Sequence, residues 1–304
     1  MEKVAEHSTA CRPPKDTTYL TIGQDLFSIN EYILSQFNAS LHNGSLAPMS
    51  TFSPAAAMVY TDLTSLRGLM APIDYGSGVE YADGIINSLF LGQGVGLQIG
   101  LWLSGSKGCH KINQGHMDAN LEKLVGYLAG SQASKIFLRL GYEFDNPSFG
   151  YSSDPVGYAE AFRYIVTYCR RHLSPESIQK VKFVWHSWAS PMSKGLHLND
   201  FYPGNDVVDW VGISIFQQLY SWAPSWAGTI HDIEQVVDFA QKHSKPIMIA
   251  ESTPFGGIHL SRNVTGLAEE MDTWETWFGK VLSLIDRFDI SMWSYINCNW
   301  EAVS

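Results

Sequence analysis

Glu143, in KIFLRLGYEF, and Glu251, in KPIMIAESTP, each follow a short apolar run. Such runs read as buried strands, so each carboxylate is delivered to the rim of a sheet. Two carboxyl groups in one cleft are the minimum equipment for breaking a glycosidic bond, one protonating the leaving oxygen while the other attacks the anomeric carbon or activates water. A lone Glu is usually a solvated surface charge, but a Glu abutting LRLGY or IMIA is placed for chemistry. Arg139 lies four residues before Glu143. Strand alternation points both the same way, and a buried guanidinium there holds a carboxylate ionised.

The elements that must position this pair recur along the chain. Apolar runs at Tyr19–Asp25, Ala57–Asp62, Gly96–Leu103, Lys135–Tyr142, Val181–Trp185, Trp210–Ile215, Pro246–Ala250 and Ser291–Tyr295 predict eight strands buried on both faces. Helical periodicity falls between them at Asn120–Leu128, Asp154–His172, Ile233–His243 and Trp274–Phe288, with Asp154 suited to an N-cap and Pro155 to the first helical position. Eight strand–helix units in 304 residues predict a single (β/α)8 TIM barrel over 1–304, with 1–18 a non-barrel N-terminal segment. Only Ile296 to Ser304 follow strand eight, so the eighth helix is expected to be missing or replaced. An open doubly wound sheet is disfavoured because GQDLFS after the first strand is no glycine-rich phosphate turn.

Composition narrows the partners. The chain is 45% hydrophobic and 16% charged, ample for a core, and carries 10 Trp and 14 Tyr, side chains that stack on sugar faces. A formal charge of −10 argues against nucleic acid. No apolar run reaches the ~18 residues of a membrane span. The N-terminus lacks the apolar region of a leader, yet Asn38, Asn43 and Asn263 each begin an N-x-[ST] triplet, which favours a secreted glycoprotein whose leader is not part of this chain. Four cysteines, Cys11, Cys109, Cys169 and Cys298, allow three pairings. His110 and His116 have no carboxylate cluster near them, so no metal is expected, and the chemistry needs no cofactor.

FLRLGYEFDNP followed by YAEAFRYIV, then FVWHSW, VDWVGIS and PIMIAE, resemble clan A glycoside hydrolases, most nearly glycoside hydrolase family 26. That clan carries its acid/base at the end of strand four and its nucleophile at the end of strand seven. The resemblance therefore implies that Glu143 is the acid/base and Glu251 the nucleophile. It also implies that Trp293 on strand eight forms a stacking floor for the reacting sugar. The chain departs from the pattern at Tyr142, where family 26 usually has His, and at Phe216, where the clan usually has a Tyr bonded to the nucleophile. Gln217 or Tyr220 is then expected to replace that hydroxyl.

Other strand ends supply candidate sugar contacts: Asp25, Asp62, Trp102, and Trp185 with His186 and Trp188 after strand five. Tyr220, Trp222 and Trp226, in the loop after strand six, suit a cleft for several sugar units. The resulting expectation is a monomeric, retaining endo-glycosidase acting on a plant, algal or microbial polysaccharide. β-Mannan comes first, then β-1,3-xylan or mixed-linkage β-glucan. A glycosidase on another polymer such as an algal fucan, and a non-catalytic carbohydrate-binding barrel, are the alternatives. An aldolase or phosphate-site isomerase is disfavoured by the lack of a strand-end lysine.

Overall fold

The computed structural model describes residues 12–24, 26, 29–30, 33, 53–74, 78–190, 192–193, 195–254 and 274–296. Asp25, Cys11, Cys298, the three N-x-[ST] asparagines and whatever follows strand eight lie outside the described residues.

Eight parallel strands close into a barrel: β1 Tyr19–Gly23, β2 Ala56–Asp62, β3 Gly96–Trp102, β4 Ile136–Leu140, β5 Val181–Ser187, β6 Trp210–Ile215, β7 Ile247–Ser252 and β8 Met292–Ile296. Each pairs with its neighbours in sequence, and β8 pairs with β1 to close the ring. A small antiparallel ribbon, Ile73–Asp74 with Val79–Glu80, stands beside it. Around the barrel run α1 Gly105–Asn113, α2 Asp118–Gly130, α3 Pro155–His172, α4 Pro175–Lys180, α5 Ile230–Lys242 and α6 Gly279–Phe288. No helix among the described residues is long and apolar enough to cross a membrane.

The strands are buried on both faces because two cores meet at the sheet. Strand residues such as Leu97, Ile136, Leu138, Val211, Ile247 and Ile249 face the helices in one large apolar cluster. Phe137, Val184, Trp210, Met248, Ala250 and Met292 fill the barrel interior, with Phe137 and Trp210 edge to face at 5.5 Å. α3 begins as its sequence predicts, with Asp154 Oδ1 accepting from the Gly157 amide at 2.9 Å and Pro155 at the first position.

Most strand ends lie one or two residues from the sequence reading, and two of these shifts fall at the catalytic candidates. β4 stops at Leu140 because Gly141 takes φ 57°, a left-handed conformation that ends the extended run. β7 continues to Ser252, so Glu251 is a strand residue rather than one that follows the strand.

Candidate active site

Alternation decides which side chains reach the barrel interior. From Phe137, Val184 and Trp210 inside the barrel, two residues toward the C-terminal end bring in Arg139, His186 and Gly212, and β6 adds Ser214 above. Tyr60 on β2 reaches the same layer, with the Arg139 guanidinium 4.9 Å from its ring centroid. The layer fits because Gly100 on β3 has no side chain. A Cβ there would stand 2.6 Å from Tyr60 Cδ1 and 2.8 Å from Arg139 Nη2. Gly212 makes similar room, since a Cβ would meet His186 Cβ and Cδ2 at 3.2 Å.

Strict alternation would turn Glu251 outward, because Met248 and Ala250 both face in. A β-bulge corrects this. Ile213 pairs with Ile249, but Ser214 pairs with Glu251, so Ala250 is the extra residue. Gln98 Nε2 donates to the Ala250 carbonyl at 2.7 Å, satisfying a group at the irregularity. Beyond the bulge Glu251 faces the interior and is bonded to Arg139 Nη1, while Ser252 faces out and receives the Trp293 indole N–H at 2.8 Å.

Glu143 enters from the loop above β4 with φ 51°. A non-glycine residue in that region costs about 1–3 kcal/mol and persists only where the surrounding structure holds it. The loop is pinned on both sides. Phe144 is fully buried, stacked on Trp185 at 4.3 Å, and its amide donates to the His186 carbonyl at 3.3 Å. Asp145 accepts from Ser187 Oγ at 2.5 Å and from the Trp188 amide at 2.6 Å. Asn146 Oδ1 caps the following turn, accepting from the Ser148 amide at 3.0 Å, which leaves its Nδ2 to donate to Glu143 Oε2 at 3.0 Å. Ser214 Oγ donates to Glu143 Oε1 at 2.7 Å.

The two glutamates occupy opposed environments. Burial, reinforced by the Glu251 charge, pushes the Glu143 carboxyl up to about 8 despite the donors Ser214 and Asn146. It is therefore a protonated acid at neutral pH. Glu251 carries its own cation: Arg139 is wholly buried, and Tyr60 and Glu251 outweigh burial to keep its guanidinium charged. Burial, and then Arg139, hold His186 well below its ordinary value, so the ring is neutral. Asp145 is pushed up to about 6, chiefly by burial.

These values set a sign for stability. Glu143 binds its proton more tightly folded than unfolded, so its stabilising contribution is complete below about pH 4.5 and is lost as pH rises through 8. Glu143→Gln cannot ionise. Thermal scans are therefore expected to show the Tm of Glu143→Gln gaining on the unsubstituted protein from pH 5 to 8 and levelling above that. A constant difference would mean that Glu143 has an ordinary pKa.

The remaining candidates divide. Trp102, at the end of β3, and Tyr142 join an aromatic group with Phe149. Their centroids are 6.1 Å apart, and Tyr142 also meets Tyr60 at 5.4 Å. Asp62 anchors a turn, accepting from Thr64 Oγ1, from the Ser65 amide at 2.8 Å and from Ser65 Oγ at 2.6 Å. Burial raises its carboxyl, but these donors outweigh that and hold it below the usual value. Gln217 is buried beside the mouth, Tyr220 stacks on Trp222 at 4.7 Å, and Trp188 lies near Trp226 at 6.2 Å, with Trp222 and Trp226 exposed.

Two tryptophans sit elsewhere than expected. Trp185 is wholly buried on the helix side, giving its indole N–H to the Phe201 carbonyl at 3.1 Å. Trp293, between inward Met292 and Ser294, also points outward and packs toward Phe278 and Tyr295. Tyr60, Gly100, Asn146 and Ser214 are site residues that the sequence reading did not single out. The signal for Tyr60 and Ser214 was a polar group at an inward position of an otherwise apolar strand.

No protein-family model matches the chain. In sequence it is 26% identical to a β-1,3-xylanase from Alcaligenes sp over 302 residues and to the β-1,3-xylanase TXYA from Vibrio sp over 306 residues, each alignment covering 95% of this chain. It spans 57% and 58% of those relatives' lengths. Among solved structures it is similar to GH26C from Muricauda sp. MAR_2010_75, at 15% identity and TM-score 0.56, over 80% of this chain and 71% of that one. It is also similar to a modular endo-β-1,4-mannanase of glycoside hydrolase family 26 from Cellulomonas fimi, at 16% identity and TM-score 0.55, over 80% and 57%. The chain thus carries the barrel fold of family 26 glycoside hydrolases, and β-1,3-xylanases are among its sequence relatives.

Proposed function

We propose that this chain is a retaining, endo-acting glycoside hydrolase of plant or algal polysaccharide. The observation that carries the reading is the opposed pair at the barrel mouth: Glu143 buried and protonated, Glu251 bonded to the buried Arg139. A buried carboxyl group that keeps its proton beside a second one bonded to a cation suits the roles of acid and nucleophile. Glu251 attacks the anomeric carbon while Glu143 protonates the leaving oxygen. Water then resolves the glycosyl-enzyme with Glu143 as base.

The likeness to β-1,3-xylanases moves β-1,3-xylan ahead of β-mannan as the first substrate to try. The exposed Trp222 and Trp226 support a polymer rather than a single sugar, because flat aromatic surface stacks on sugar faces. A polymeric substrate and the N-x-[ST] triplets favour work outside the cell.

The test is a panel of β-1,3-xylan, β-mannan and mixed-linkage β-glucan, with products followed by proton NMR from the first minutes. Internal cleavage of one polymer with initial release of the β-anomer is expected. No cleavage of any polymer would overturn the reading, and initial release of the α-anomer would replace retention with inversion.

A further inference from the structure

The hydrogen bonds around Glu143 do not end at its immediate donors. Ser214 Oγ, which donates to Glu143 Oε1 at 2.7 Å, lies 3.0 Å from His186 Nε2. On the other side of that ring, His186 Nδ1 lies 3.3 Å from Arg139 Nη1, the same nitrogen that bonds Glu251. Arg139, His186 and Ser214 are all fully buried, so water does not compete along the line.

Proton bookkeeping gives the line one direction. A guanidinium only donates, so Nδ1 accepts and the neutral ring carries its proton on Nε2. That N–H donates to Ser214 Oγ, whose single hydrogen is then free to point at Glu143. We propose that Arg139 serves both carboxylates, directly at Glu251 and through the positioning residues His186 and Ser214 at Glu143. One buried cation thereby compensates whichever glutamate is ionised.

This rests on the reading of the pair as acid/base and nucleophile, and it explains why sharing is useful. When a Glu251 oxygen bonds to the anomeric carbon, the bond to the leaving oxygen breaks and the Glu143 proton passes to that oxygen. Negative charge disappears from Glu251 and appears on Glu143. In the second half, the oxygen of water bonds to the anomeric carbon, its proton goes to Glu143, and the bond to Glu251 breaks. The charge alternates between two ends of one bonded line, and no ion has to move.

The charged and titratable groups around Glu143 are Glu251 on β7, His186 on β5, Arg139 on β4 and Tyr60 on β2, with Tyr142 and Asp145 on its own loop. Of these, Ser214 connects Glu143 to His186 and so to Arg139, which makes Ser214→Ala the sharpest cut.

The test reads ionisation directly and needs no substrate. Protein labelled with 13C at the glutamate carboxyl is titrated by NMR, with Glu143 assigned by its loss in Glu143→Gln. Ser214→Ala is expected to raise the Glu143 midpoint by about one pH unit, because a donor to the ionised form is gone. Ser214→Thr, which keeps the hydroxyl, leaves the midpoint in place. In His186→Asn the side-chain oxygen can take the place of Nδ1 while nothing reaches Ser214, so the midpoint rises by less. In the Ser214→Ala background, His186→Asn moves it no further. An unmoved or lowered midpoint in Ser214→Ala, or additive effects in the double variant, would overturn the relay.

A second arm uses the unsubstituted protein, so no folding failure can void the test. Ring 15N shifts of His186 are expected to show the neutral Nε2–H form from about pH 6 to 9. A proton on Nδ1 would overturn the relay. Polysaccharide cleavage with no shift in these titrations would sink the relay alone. The shifts without cleavage would sink the proposed function alone.

Discussion

Glu251→Ala is expected to lower kcat on the cleaved polysaccharide by at least ~100-fold, and Glu143→Gln by a similar factor, the scale of general acid–base catalysis. The two losses should differ in kind. Glu251→Ala removes the attacking atom, so no glycosyl-enzyme forms with any leaving group. Glu143→Gln removes only the proton, so an aryl glycoside with an acidic phenol should still glycosylate Glu251 and stall there. Intact-protein mass spectrometry reads the difference as a covalent sugar adduct in Glu143→Gln that is absent from Glu251→Ala. Full activity in either variant would end the assignment. An adduct in Glu251→Ala would place the nucleophile elsewhere.

Arg139→Leu is expected to be the most damaging single change to stability. The guanidinium is fully buried, and Glu251 is nearly so. Taking away one partner of a buried pair leaves the other charge unsolvated, which typically costs ~3–5 kcal/mol. The same change removes the packing of the guanidinium against Tyr60 and Tyr142 at 4.9 and 5.4 Å. Urea unfolding should show the midpoint falling with little change in slope. Pairing Arg139→Leu with Glu251→Leu should recover much of the loss, because the stranded charge is then gone. If the double variant is no more stable than Arg139→Leu, packing rather than the uncompensated carboxylate dominates the cost.

Most of the barrel was legible in the sequence because near-continuous apolar runs admit few other readings, and Asp154-Pro155 marks a helix start by simple capping chemistry. The two glutamates were legible for the same reason, standing where an apolar run gives way. Facing was harder to read. Trp185 and His186 were both assigned to the mouth, yet neighbours on a strand point opposite ways, and only His186 faces in. The same rule turns Trp293 outward. Glu251 breaks the rule through the bulge at Ala250, and nothing in PIMIAES announces an extra residue. Nor was the partner of Arg139 legible. Adjacent in sequence to the Glu143 loop, it bonds Glu251 instead, because Gly141 and Glu143 both take positive φ and swing the chain away from the strand axis. Tyr60 and Ser214 were passed over as ordinary strand residues, although each faces the mouth.

The bulge at Ala250 also says how such a site would be gained or lost over generations. Substitution at Glu251 removes one carboxylate and leaves everything else facing as before. Deletion of Ala250 would do something different: it would restore strict alternation with Glu251 still facing the interior opposite Ser214 and Ser252 still facing out, while taking away the carbonyl that Gln98 Nε2 meets. The carboxylate thus survives a change in length at this point but not a change in letter at Glu251, and a related barrel one residue shorter here can carry the same glutamate in the same place.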